Sequence, residues 1–377
     1  MPIKSLFREG FNIAPKILGY KLSRAYGQPN MLPISLTVSV TNKCNSRCRT
    51  CFLWKLYRDK PDLEKREFET WEFERTFESI SAPIFWVTMS GGEPFLRPDL
   101  ADICSAFNKY CTPKIINIPT NSLLPKVIEV KTKEILQRCN GADLVINLSL
   151  DGVGDIHDKI RNVSGNFEHF LETFQRLNAL KSEFSNLQIG VHSVVSKYSL
   201  LGLMDVYEFA EKIGADSYIT EVAERRTELF NVDEDITPDA DAYRAFINLL
   251  SERMGMEFKG RKKISKATNA FRLIYYQIAT KELRENRQII PCYAGLASGQ
   301  INPYGDVWPC CVLGYSKSIG NLRENEYDFK KIWFSREAQL VRKYIKSGAC
   351  SCPLANAHYT NILLNFNQLA KVVGKII

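Results

Sequence analysis

Cys44, Cys48 and Cys51 lie within eight residues, in the run Thr41-Asn42-Lys43-Cys44-Asn45-Ser46-Arg47-Cys48-Arg49-Thr50-Cys51. The spacing is C-x3-C-x2-C, with no fourth cysteine near. Three thiolates on one loop can hold three corners of an iron–sulfur cube and leave the fourth iron open to bind and activate a small molecule. Structural zinc asks for four closed ligands, usually two C-x2-C pairs, which this loop does not offer. A second group lies far downstream: Cys292, Cys310, Cys311, Cys350 and Cys352. Cys104, Cys111 and Cys139 fall between the groups, on or beside helical segments, and read as buried small apolar side chains.

The rest of the composition narrows the setting. Eleven cysteines in a chain with no secretory signal pattern and no bilayer-length apolar run point to the reducing cytosol and to metal, not disulfides. The 377 residues, 45% hydrophobic and 24% charged, suffice for a large domain and a smaller one. The net charge of +8 is mild and spread out, so no nucleic acid is expected.

Alternating strand and helix patterns must position these residues. Strands are expected at 34–40, 84–89, 114–118, 144–150, 187–195 and 217–222, with helices at 70–80, 99–110, 127–137, 167–180 and 203–213. Six successive βα-type units imply a parallel α/β sheet with right-handed crossovers, as an open barrel or a doubly wound fold. The distinctive residues all follow strands. The cysteine loop follows the first, Gly91-Gly92-Glu93-Pro94 the second, Thr120-Asn121 the third and Asp151-Gly152 the fourth. Such loops share one mouth, where these folds place their chemistry. Downstream, Ile301 and Val307 flank Asn302-Pro303-Tyr304-Gly305-Asp306 as a β-hairpin would. The expected organisation is an N-terminal segment 1–33, a barrel 34–230, a helical connector 231–285, a cysteine module 286–358 and a C-terminal helix 359–377.

The cysteine loop, the Gly-Gly-Glu-Pro loop and the strand–helix order of residues 34 to 225 together resemble the radical SAM superfamily. The resemblance implies a partial (β/α)6 TIM barrel with a 4Fe–4S cluster on Cys44, Cys48 and Cys51. It implies S-adenosylmethionine on the open iron, cleaved by one electron to a 5′-deoxyadenosyl radical that abstracts hydrogen. Gly91 and Gly92 would let the backbone approach the methionine group. Glu93 or its carbonyl would accept from the ammonium, and Pro94 would fix the turn. Ser149 and Arg161 would bind the carboxylate. Asp151 has two readings, an active-site hydrogen bond or an acceptor of backbone N–H groups in its turn. His157 reads as a surface or turn residue. Thr50 stands where the family often has an aromatic residue, with Phe52 just after the cysteine.

The second cysteine group resembles the auxiliary-cluster module of such enzymes, in its short twitch version rather than the longer SPASM version. That implies a second, auxiliary 4Fe–4S cluster on Cys292, Cys310, Cys350 and Cys352, with Cys311 as an alternative ligand. Zinc is the competing occupant. An auxiliary cluster suits a net oxidation, and Glu221, at the end of strand six, is the candidate base; an ion pair with Arg225 is its plainer reading. A flavodoxin- or ferredoxin-like protein would be the reductant.

The substrate is less legible. About 33 residues precede the first strand, fewer than a leader-peptide-binding domain needs. A small or lipid-linked molecule is therefore expected, with a peptide or protein maturase as the alternative. A non-enzymatic iron–sulfur or zinc protein is the third reading. Both ends look like basic amphipathic helices: Leu18, Leu22, Ala25 and Tyr26 share one face, and Ile362, Phe366, Leu369, Val373 and Ile376 another. They cover the barrel and its module, or touch a membrane. The expected location is cytoplasmic, with peripheral contact at the inner membrane surface as an option.

Overall fold

The computed structural model describes residues 16–26, 31–257 and 263–376. A helix over 16–26 (α1) comes first. Then follow β1 (Ser35–Thr41), the short α2 (Leu56–Asp59), α3 (Thr70–Ile80), β2 (Trp86–Gly91), α4 (Leu100–Cys111), β3 (Ile115–Thr120), α5 (Pro125–Arg138), β4 (Asp143–Ser149), α6 (Asp155–Arg161), α7 (Asn166–Leu180), β5 (Leu187–Val195), α8 (Leu203–Lys212) and β6 (Ser217–Val222). The six strands pair in parallel in chain order, and β6 is left as an edge, so the sheet stays open. This is the expected parallel α/β architecture.

Local chemistry explains the elements. In α3, Phe73, Phe77 and Ile80 recur at helical spacing and are fully buried. A capping box between Glu69 and Glu72 starts the helix. Leu36, Val38 and Val40 fill the core side of β1. Along β4, β5 and β6 the other side presents Asn147, Ser149, His192 and Glu221 among Val145, Val194 and Ile219, so it carries polar groups toward the mouth. Cys104, Cys111 and Cys139 are buried, as their apolar reading expects.

The remaining elements are α9 (Ala240–Glu257), α10 (Lys263–Glu285), β7 (Ser298–Ile301), β8 (Asp306–Trp308), β9 (Gly320–Asn321), α11 (Phe329–Trp333), α12 (Arg336–Lys346), α13 (Ala355–Leu363) and α14 (Phe366–Ile376). The expected hairpin is β7–β8, with Ile301 opposite Val307. It is not a separate appendage. β7 pairs in parallel with β1, from Ser35↔Ser298 to Val38↔Ile301, so the cysteine module extends the barrel sheet to nine strands. Arg323 reinforces the junction by gripping Glu72 of α3 at 2.6 and 2.7 Å.

Residues 231 to 285 do more than connect. Tyr276 of α10 takes the Thr220 N–H of the β6 edge at 3.2 Å, so this helix shields an otherwise open strand. The expected single C-terminal helix is instead two. The chain breaks at Leu364–Asn365, where Asn365 Oδ1 accepts the Gln368 N–H at 3.2 Å, as a helix cap does. Residues 1–15 and 27–30 of the N-terminal segment lie outside the described residues, as do the basic residues 259–262.

Candidate functional site

The cysteine loop leaves β1 at Thr41 and is held from several sides. Gly92 N–H donates to the Thr41 carbonyl and Glu93 N–H to the Lys43 carbonyl, both at 2.8 Å. A Cβ on Gly91, where φ is +128°, would stand 1.9 Å from the Thr41 oxygen; one on Gly92 would stand 2.2 Å from the Lys43 oxygen. The two glycines thus make room for the cysteine loop itself. The C-terminal end of α6 accepts from Arg47 and Arg49, through the Arg161 and Ile160 carbonyls at 3.2 and 3.0 Å. Fully buried Asn231 donates to the Thr50 carbonyl at 2.8 Å and accepts the Arg226 N–H at 2.6 Å, tying the loop after β6 to the third cysteine. Glu67 completes the support. It accepts from Thr41 Oγ1 at 2.9 Å, from Asn42 N–H at 2.6 Å and from Tyr57, whose hydroxyl also meets that of Tyr304.

The three thiols are little exposed. Burial, with the neighbouring Cys48 thiolate, pushes Cys51 up to about 12 and Cys44 higher still. Unliganded, those two are protonated at neutral pH, and a metal would have to replace the protons. Donors surround the sulfurs. Arg161 Nη1 lies 3.6 Å from Cys48 Sγ, and Asn121 Nδ2 lies 3.9 Å from Cys44 Sγ.

The other loop residues divide between support and open chemistry. Glu93 is buried and accepts from Thr120 Oγ1 at 2.9 Å, Asn121 N–H at 2.7 Å and Phe95 N–H at 3.2 Å. Its carboxylate braces the loops after β2 and β3. Burial pushes it up to about 7 against those donors. Pro94 opens the short turn Pro94–Leu96. Asp151 accepts the Val194 N–H of β5 at 2.8 Å and pairs with Arg161 Nη2 at 2.8 Å. It therefore accepts a backbone bond and aims an arginine at once. Arg161 Nε is buried with no partner, a donor left for an anion. Ser149 stands at the mouth end of β4, opposite His192. His157, expected as a surface or turn residue, is fully buried: its Nδ1 accepts the Asp151 N–H at 3.1 Å.

Glu221 and the loop after β6 lie at the far side of the mouth. Glu221 forms no ion pair with Arg225 among the described residues; His192 Nε2 is 3.9 Å from its Oε1. Burial pushes Glu224 up to about 7. Arg226 Nη1 lies 3.0 Å from Cys311 Sγ, and Glu228 takes a hydrogen bond from Gln300 of β7 at 2.8 Å.

The second thiol group has its own pocket. Cys292, Cys310, Cys350 and Cys352 line it together; Cys311 does not, being turned to Arg226. Burial pushes Cys292 up to about 11 and Cys310 up to about 12, with repulsion from the neighbouring thiolates adding to both. Glu282 and His358 line the same pocket, both buried, with His358 Nε2 donating to Glu282 Oε2 at 2.6 Å and to the Cys352 carbonyl at 3.0 Å. Among the described residues no three His, Cys, Asp or Glu side chains lie close enough to clasp a single ion. Asn231, His192, Glu224, Glu282 and His358 carry no motif, and only the fold brings them here.

Comparison with known proteins agrees with this layout. The Radical SAM superfamily model matches residues 38–194, and the SPASM iron–sulfur cluster-binding domain model matches 292–353. The chain is 24% identical over 344 residues to the antilisterial bacteriocin subtilosin biosynthesis protein AlbA of Bacillus subtilis, covering 86% of this chain and 66% of AlbA, about two thirds of its length. It is 24% identical over 328 residues to the mycofactocin maturase MftC of Mycobacterium tuberculosis, covering 85% of this chain and 75% of MftC. The crystal structure of Streptococcus suis SuiB bound to precursor peptide SuiA shares the fold, with a TM-score of 0.60 at 15% identity over 89% of this chain and 72% of that one. The protein therefore belongs to the radical SAM superfamily, with a 4Fe–4S cluster and S-adenosylmethionine as cofactors and a C-terminal iron–sulfur cluster module of SPASM type.

Proposed function

We propose that the chain is a radical SAM oxidoreductase that removes two hydrogen atoms from a peptide substrate. Cys44, Cys48 and Cys51 would hold the first cluster, and Cys292, Cys310, Cys350 and Cys352 the auxiliary one. The unpartnered Arg161 Nε, with Ser149 at the mouth end of β4, suits the carboxylate of the cofactor's methionine group. Bound there, the cofactors supply a carbon radical that takes a hydrogen atom and an auxiliary cluster that accepts the remaining electron.

The observation that carries the oxidation reading is the loop after β6. It bonds to the first cysteine loop through Leu229 and Asn231, and to the second thiol group through Arg226 and Cys311. Glu221 near the end of β6 leads into this stretch, and Glu224 lies in it. A C–H bond held there would stand near both thiol sets, with carboxylates to take the proton. Glu221, with His192 Nε2 3.9 Å from its Oε1, and Glu224 are the candidate bases. Asp151 fixes Arg161, and a flavodoxin- or ferredoxin-like protein supplies electrons.

The peptide assignment draws on the relatives: AlbA is named for the biosynthesis of a bacteriocin, MftC is named a maturase, and SuiB was solved with its precursor peptide SuiA. A small or lipid-linked substrate is the second reading, favoured by an outward apolar face described below. The test is mass spectrometry of candidate peptides after incubation with reduced protein and S-adenosylmethionine. Loss of two hydrogens per 5′-deoxyadenosine formed is expected. Cofactor cleavage with substrate hydrogen content unchanged would overturn the oxidation reading.

A further inference from the structure

Helix α1 uses only one side to dock. Ile17 and Tyr20 are buried in a cluster with Tyr293, Leu296, Ala297 and Leu364. Its C-terminal end is fastened by Arg24 Nε on the Cys292 carbonyl at 3.1 Å, and by Lys346 Nζ on the Ala25 carbonyl at 2.8 Å. A second apolar stripe faces out: Leu18 is 57% exposed, Leu22 45% and Tyr26 81%. Helix α14 repeats the pattern. Val372 is buried, while Phe366 is 58% exposed and Val373 47%. The two helices touch where Lys21 Nζ sits 3.5 Å from the centroid of the Phe366 ring.

A helix that only covers a core needs one apolar stripe. These two have a second one each, and together they hold five of the sixteen large exposed apolar residues described. Concentration of that kind marks a contact surface. Its charge selects the partner. Lys16, Lys21, Arg24, Lys371 and Lys375 are the charged residues of α1 and α14, and neither helix has an acid.

We infer that α1 and α14 together form a face that lies on an anionic membrane surface. Leu18, Leu22, Tyr26, Phe366 and Val373 enter the headgroup boundary, and the lysines pair with lipid phosphates. Among the described residues no helix is long and apolar enough to cross a membrane, so the contact is peripheral. It places the Cys292 end of the auxiliary pocket beside the lipid, through Arg24. The inference is independent of the reaction assigned above.

The test is flotation of the full, cluster-loaded chain with vesicles of phosphatidylcholine alone or mixed with phosphatidylglycerol. Flotation with the anionic vesicles only, weakening at high salt, is expected. Lys371→Gln and Lys375→Gln should each lower the partition constant about fivefold, from roughly 1 kcal/mol per cation at such a surface. The double variant Leu22→Glu with Phe366→Glu should abolish flotation while keeping iron content and circular dichroism unchanged. Equal flotation with both vesicle types, or none, would overturn the inference. So would a wild-type dimer in sedimentation equilibrium that this double variant splits, since the face would then be a subunit interface.

Discussion

Replacing Gly92 by alanine puts a methyl group where the cysteine loop already runs. The new Cβ would stand 2.2 Å from the Lys43 carbonyl oxygen and 2.8 Å from that of Asn42. Ordinary contact needs about 3.4 Å, so the two loops must part by roughly 1 Å. Both backbone bonds between them, Gly92 N–H to Thr41 and Glu93 N–H to Lys43, would stretch or break. Their loss costs about 0.5–1.5 kcal/mol each, and overpacking adds about 1–3 kcal/mol. The displaced segment leads straight into Cys44. A misplacement of about 1 Å at a reacting centre can cost about a hundredfold in rate. Gly92→Ala should therefore lower 5′-deoxyadenosine formation about a hundredfold and reduce iron at the first cluster, leaving the auxiliary cluster in place. Gly141→Ala, where a Cβ meets nothing within 4 Å, is the matched control and should be neutral. Iron content and deoxyadenosine yield, measured after anaerobic reconstitution, decide the matter. Wild-type values for Gly92→Ala would refute the packing argument. Normal iron with only weakened cofactor binding would return the glycine to the methionine group.

Other perturbations separate further parts of the site. Cys310→Ser should lose about four iron atoms, whereas Cys311→Ser should keep them, because Cys311 lies outside the four-cysteine pocket; equal losses would make Cys311 a ligand. Asn231→Ala removes a buried donor to Thr50 and an acceptor for Arg226, and should cost about 3 kcal/mol in urea unfolding; a change below about 0.5 kcal/mol would contradict its bracing role. Burial, with Arg161 nearby, holds His157 down to about 2, against 6.5 for a free histidine. The folded state thus binds fewer protons than the unfolded one below that value. The stability His157 contributes is whole above pH 6.5 and drains away as pH falls, by up to about 1.4 kcal/mol per unit. His157→Gln should flatten that slope in urea midpoints taken between about pH 7 and 5, and an unchanged slope would refute the assignment.

Local pattern carried the fold, and long-range contact carried the rest. Every expected barrel strand and helix appears, because apolar spacing and strand-end polar loops are written in short windows. The first cysteine loop is legible for the same reason, as a spacing, whereas the second set, spread from Cys292 to Cys352, is legible only through the family resemblance. The pairing of β7 with β1 was not, since Ser298–Ile301 and Ser35–Val38 are remote in the chain and nothing in either names the other. His157 reads as a surface or turn residue; its burial goes with the Asp151 N–H that it caps. Gly91 and Gly92 were legible as sites of close approach, but not as to what approaches. At the C-terminus the break was written in Asn365, a good helix cap, yet the continuous apolar stripe around it masked the signal. The outward stripe of α1 was visible as a stripe, and only the structure shows that Ile17 and Tyr20 do the docking.

We propose that one sheet carries two iron–sulfur sites, one of them open to S-adenosylmethionine. Iron and zinc counting with Mössbauer spectroscopy, on anaerobically reconstituted chain, tests it most directly. About eight iron atoms per chain are expected, falling to about four when Cys44, Cys48 and Cys51 are replaced by alanine, with 5′-deoxyadenosine formation lost. About four iron atoms with one zinc in the intact chain, the zinc lost when Cys292 and Cys310 are replaced, would contradict it.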